Sequence, residues 1–88
     1  MNKIAKIKKY TNWANVIEIP YYKYRVIYNP TINVHEEISQ IKAIYSSESL
    51  DDYIIVQDLN FFYIGNINEN KIVCFAKCDS LKEACESL

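Results

Sequence analysis

Residues 53–56 read Tyr-Ile-Ile-Val, apolar at four consecutive positions and rich in β-branched side chains. A strand with that composition has both faces to bury, so it belongs in the middle of a sheet with cover on either side. Residues 22–28 constrain the fold differently, by strict alternation. Tyr22, Tyr24, Val26 and Tyr28 fall on one face of a strand, and Lys23, Arg25 and Ile27 fall on the other.

Other segments are placed by their own signals. Residues 13–19 read as a strand, and Pro20, which cannot donate to a ladder, marks an edge or bend. The short run 4–10 is ambiguous between helix and strand, with lysines that would suit an edge strand. After an Asn29-Pro30 turn, Val34, Ile38, Ile41 and Tyr45 recur at helical spacing, widened by Ile44. Asn33 followed by Glu36 makes a cap for that helix, and the serine-rich stretch from Ser46 ends it.

Asp58-Leu59-Asn60 then turns the chain into a strand over 61–64. Gly65 and the polar run 66–70 form a second turn into a strand over 72–76, so these two strands make a hairpin. Ser80 with Glu83 is an S-x-x-E capping box, opening a short helix whose Leu81, Ala84, Cys85 and Leu88 share one face. The expected fold is therefore a single α+β domain over residues 1–88. It has a mainly antiparallel sheet of about four to six strands and two helices, one central and one C-terminal. Eighty-eight residues, half of them apolar, suffice for one modest core.

Charge is divided by position. Residues 1–28 hold Lys3, Lys6, Lys8, Lys9, Lys23 and Arg25 against Glu18 alone, whereas the rest of the chain holds ten acids against four lysines. The net charge of −1 conceals two opposite fields, an asymmetry that bears on partners rather than on fold.

Three surfaces arise from this. Glu36, Glu37, Glu48, Asp51, Asp52 and Asp58 make the densest acidic region, which can be a solvated face, a divalent-cation site or a docking patch for a basic protein surface. No EF-hand spacing is present. Tyr21 beside Tyr22, Lys23, Tyr24 and Arg25 interleaves aromatics with cations, as a base-stacking surface or a protein hot spot would. Alternation favours core packing for Tyr22, Tyr24 and Tyr28, leaving Lys23 and Arg25 toward solvent. Lys3, Lys6, Lys8 and Lys9 with Lys23 and Arg25 could contact phosphates, although a sequence pI near 5.7 is low for a dedicated nucleic-acid domain.

Chemistry finds little to work with. One histidine, His35, and one glycine give neither a catalytic triad nor a glycine-rich phosphate loop. Cys74, Cys78 and Cys85 do not match a zinc-ligand spacing, and an odd, bunched set fits reduced thiols in a cytosol. No cofactor, metal or catalytic activity is expected. No segment reaches the ~18 apolar residues of a membrane span, and no secretory signal is visible.

Ile, Asn, Lys and Tyr are abundant, all with AT-rich codons. In size, in that usage and in its lack of catalytic motifs, the chain resembles the small accessory proteins of phages and mobile elements, among them anti-CRISPR inhibitors. The likeness covers character rather than positions. It implies a small cytoplasmic protein-binding module that occupies a basic surface of a nucleic-acid-handling enzyme through the acidic residues and Tyr21. A nucleic-acid binder using the lysines, Tyr strand and Arg25 is the alternative, and a self-associating structural subunit a third reading.

Overall fold

The computed structural model describes residues 17–46 and 53–87. Among these residues seven strands form one sheet: β1 (Ile17–Ile19), β2 (Arg25–Tyr28), β3 (Glu36–Ile38), β4 (Ile41–Ser46), β5 (Tyr53–Asp58), β6 (Phe62–Asn68) and β7 (Lys71–Cys78). A 3-10 turn, Tyr21–Lys23, precedes β2, and one helix, α1 (Leu81–Glu86), follows β7. The spatial order is β1-β4-β5-β6-β7-β2-β3, antiparallel throughout except for the parallel pair of β2 with β7. The run 53–56 lies in β5, an interior strand as its composition requires.

This architecture corrects the α+β expectation. The sheet is mixed and dominates the described residues, where the only α-helix is the six-residue α1. The expected central helix does not form; its residues are β3 and β4. The cause is a phase shift that imitates helical spacing. Ile41 pairs with Asp58 while Ala43 pairs with Gln57, so Lys42 is an extra, bulged residue. The bulge turns Ala43 and Tyr45 to one face and leaves Ile41 and Ile44 on the other. Ile38, Ile41 and Ile44 thus share a face at intervals of three without any helix. Their β-branched side chains also favour extended backbone.

The strand order forces the sheet to curl. β3 ends at Ile38 and β4 begins at Ile41, yet the two strands stand five places apart in the sheet. A flat sheet would separate them by roughly 24 Å at ~4.8 Å per strand. Three Cα steps reach at most about 11 Å. The sheet therefore wraps round, and both Ile38 and Ile41 pack on the same inner cluster as Val26, Ile44, Ile54, Val56, Tyr63, Ile72 and Cys74. The 3-10 turn lies beside β4, helping to close the same side.

The outer face carries a second core of Ala43, Tyr45, Ile55 and Ile64, and α1 covers it with Leu81, Ala84 and Cys85. Ser80 caps this helix as its sequence predicts. Its Oγ accepts from Glu83 N at 3.1 Å, and Glu83 Oε1 accepts from Asp79 N at 3.0 Å. The helix docks because β7 changes phase partway along. Ile64 pairs with Ala76 and Gly65 with Cys74, leaving Phe75 as a bulged residue. Ile72 and Cys74 then face the inner core, whereas Cys78 reaches the outer one.

The hairpin expected over 61–76 is present, but its turn is the two-residue Glu69-Asn70, with Glu69 at φ 60°. Gly65 sits inside β6 rather than in the turn. Its neighbour at the bulge is so close that a Cβ would lie 2.5 Å from the Val73 carbonyl oxygen. The single glycine of the chain is used for that approach.

Candidate functional site

Alternation fails at the start of the expected 22–28 strand, and the site arises from that failure. The 3-10 turn, closed by Lys23 N donating to the Pro20 carbonyl at 3.4 Å, breaks the period before β2 starts. Tyr24 and Tyr28 still pack on the inner cluster with Val26, as expected. Tyr22 does not: it is 79% exposed.

Tyr22, Lys23, Tyr24 and Arg25 form one wall of an open cleft of about 760 Å³. The β6–β7 turn supplies the other wall with Asn68, Glu69, Asn70 and Lys71, and Glu37 closes it from β3. The backbone ties the walls together, since Arg25 N donates to the Asn70 carbonyl at 3.3 Å. Arg25 and Lys71 are register partners on the parallel strands β2 and β7.

Arg25 donates from Nε and a terminal nitrogen to the two carboxylate oxygens of Glu37, at 3.2 and 3.3 Å. Both side chains are more than half exposed, at 61% and 56%, so this fork is screened and contributes about 0–1 kcal/mol. The cleft can thus bind and orient an anionic or hydrogen-bonding group. Among its described lining residues there is no nucleophile–base pair.

A second constellation occupies the far end of the same hairpin. The Lys77 ammonium lies 4.2 Å from the Phe61 ring centroid and 5.7 Å from that of Tyr28. The Tyr28 and Tyr63 rings meet edge-on at 5.1 Å. Asp58 organises this end: Oδ1 accepts from Asn60 N and Phe61 N at 2.8 and 2.7 Å, and Oδ2 accepts from the Tyr63 hydroxyl at 3.2 Å. Burial, then the negative charge of Asp58, hold the Tyr63 phenol well above its ordinary pKa, with Glu36 adding to the effect. The hydroxyl therefore remains a donor.

Of the expected acidic region, Glu36, Glu37 and Asp58 lie among the described residues. Glu37 is engaged with Arg25 in the cleft. Asp58 is committed to the β5–β6 turn and Tyr63, and exposed Glu36 lies near Tyr63. Glu48, Asp51 and Asp52 lie outside the described residues, as do Lys3, Lys6, Lys8, Lys9 and the Tyr21 side chain. Lys23 and Arg25 are brought together as expected and exposed.

Sequence reasoning missed Asn68, Asn70 and Lys71 in the cleft. The signal available for them was the hairpin: its turn had to lie within reach of a neighbouring strand, but that neighbour is set by the long-range β2–β7 pairing. Cys74 and the pair Cys78 and Cys85 occupy opposite faces of the sheet, and exposed His35 is 3.3 Å from the Asn29 side-chain nitrogen. These soft ligands do not converge. Compared with protein-family models, curated proteins and solved structures, the chain matches none.

Proposed function

We propose that this chain is a protein-binding module that acts by contact and uses the Tyr22–Arg25 cleft as its principal contact surface. The observation that carries the reading is Tyr22, a large aromatic left 79% exposed at the lip of a cleft lined by Lys23, Arg25 and Lys71. Tyrosine and arginine are the side chains that most often anchor protein interfaces. The near-neutral total charge and pI of about 5.7 favour a protein partner over a long polyanion.

Glu36, Glu48, Asp51 and Asp52 are the acidic part of the proposal and would steer association toward a basic surface. The inhibitor form of the reading, occupancy of such a surface on a nucleic-acid-handling enzyme, depends on those charges. Cys74, Cys78 and Cys85 are free thiols, the state a reducing cytosol preserves, and we place the protein there. Among the described residues no helix is long and apolar enough to cross a membrane.

Affinity capture from the source cell with the intact chain, followed by mass spectrometry, tests the reading. A stoichiometric protein partner retained by the wild type and lost by Tyr22→Ala supports it. Capture of no protein, or of one indifferent to Tyr22, overturns it. Reversal of Glu48, Asp51 and Asp52 to lysine tests the inhibitor form, which requires slower association. One observation favours a second reading: Tyr22 beside Lys23 and Lys71 could stack and neutralise a single-stranded nucleic acid. Oligonucleotide binding that falls steeply with salt would mark that outcome.

A further inference from the structure

Neighbouring strands place Arg25 and Lys71 side by side in register at the mouth of the cleft, with Lys23 on the same wall. Like charges on adjacent strands, at a strand spacing of ~4.8 Å, repel and disfavour the sheet that carries them. Glu37 relieves this only in part. It engages the Arg25 fork from a diagonal position on β3, where it pairs with Ile27, and it forms no ion pair with Lys23 or Lys71 among the described residues. Three cations thus surround a cleft in which one carboxylate is already seated in bidentate geometry on a guanidinium.

We infer that the cleft recognises a carboxylate of an acidic protein segment, and that Glu37 occupies the position of that carboxylate until the partner displaces it. The inference rests on the protein-contact reading of the cleft and specifies the chemistry of its partner. Displacement is cheap because the Arg25–Glu37 pair is exposed on both sides and therefore weak. The incoming segment gains more than Glu37 offers, because one of its carboxylates takes the Arg25 fork while others along it can reach Lys71 and Lys23. Asn68 and Asn70 supply side-chain amides that can bond a peptide backbone, and Tyr22 covers the segment from the lip.

A phosphodiester chain fits less well. Its charge lies in the backbone at every nucleotide, cannot be turned away from the cleft, and would have to pass both Glu37 and Glu69. An extended acidic peptide turns alternate side chains to opposite sides, so some carboxylates face the cations while the others stay in water, away from the glutamates.

The test is equilibrium binding of fluorescein-labelled hexaglutamate to the full chain, with a twelve-residue oligothymidylate as the competing class. Glu37→Gln should tighten hexaglutamate binding between about two- and fivefold, since it removes the resident competitor. Arg25→Gln and Lys71→Gln should each weaken it severalfold. Glu69→Gln removes an equal charge from the same cleft without freeing Arg25. The gain from Glu37→Gln should therefore exceed that from Glu69→Gln and persist at high salt, where long-range fields are screened.

Equal gains from the two glutamate variants, no binding of hexaglutamate to wild type or Glu37→Gln, or tighter binding of oligothymidylate would each overturn the inference. The four altered side chains are surface groups, and far-UV circular dichroism with denaturant midpoints verifies that the fold is kept. If cellular capture depends on Tyr22 while Glu37→Gln leaves hexaglutamate binding unchanged, the contact reading stands and the carboxylate inference falls. The reverse pattern, an expected peptide series with capture indifferent to Tyr22, removes the contact reading alone.

Discussion

Gly65 shows how one residue can be fixed by its neighbour's backbone rather than by its own conformation. Its φ is not positive, so a turn does not demand it; the bulge at Phe75 does, by pressing Val73 and Cys74 against the Cα. A Cβ there would meet the Val73 oxygen at 2.5 Å and the Cys74 Cα at 2.8 Å, both main-chain atoms that cannot rotate away. Gly65→Ala should therefore lower stability by about 1–3 kcal/mol, as overpacking does, read as a lower urea midpoint with an unchanged slope. Cys74, across the ladder from it, makes a different prediction. Burial pushes its thiol up to about 12 from an ordinary 9.0. The unfolded chain thus ionises first as pH rises, so this contribution to stability is complete below pH ~9 and is lost progressively up to about 12. Within that window the slope is about 1.4 kcal/mol per pH unit for one thiol. Denaturant titrations of Cys74→Ala should show a lower plateau but a shallower alkaline decline than wild type. An equally steep decline would assign the effect to other groups.

At the scale of elements, α1 is the part most directly specified by local chemistry. Six residues are too few to be stable alone, so the helix depends on its cap and on the outer core it covers. Ser80→Ala removes the hydroxyl that accepts from Glu83 N and should cost about 1 kcal/mol in a urea melt. Glu83→Ala should cost less, because Asp79 N remains free to bond water. This helix was legible because its signals sit within a few residues of one another: Ser80 and Glu83 at the start, Leu81, Ala84 and Cys85 on one face. The Asp58 turn and the interior position of residues 53–56 were legible for the same reason. The failures have a common source in phase. A bulge at Lys42 made strand residues Ile38, Ile41 and Ile44 recur as a helix face does, and the 3-10 turn threw Tyr22 out of the alternation that residues 24–28 keep. Bulges and turns of this kind are settled by cross-strand partners far along the chain. The cleft inherits that limit: Lys23 and Arg25 are visible as a local pattern, but Lys71 joins them only through the pairing of β2 with β7.

Over the whole molecule, the question is what makes the sheet curl. Two causes are open to the fold: the two-residue link Ser39-Gln40, which ties β3 to β4, and the inner core, on which Ile19, Ile38 and Ile41 converge from three strands near the sheet's margins. If the link imposed the curl, releasing it would let the sheet flatten and expose Val26, Ile44 and Val56 from the inner cluster. If burial imposes it, the link merely spans a gap that the core has already closed. Burial is the stronger cause on magnitude. Fully burying one aliphatic side chain is worth about 1.5–3 kcal/mol, and several line the inner face. Lengthening a loop costs only about 0.6 kcal/mol per doubling. Insertion of six Gly/Ser residues between Ser39 and Gln40 should therefore lower stability by about 1 kcal/mol and leave far-UV circular dichroism and the denaturant slope unchanged. A loss of several kcal/mol, or a smaller slope with dye-accessible apolar surface, would show that the short link bends the sheet. The same variant bears on the cleft, because β3 carries Glu37 to Arg25. With the curl kept by the core, hexaglutamate binding should survive the insertion.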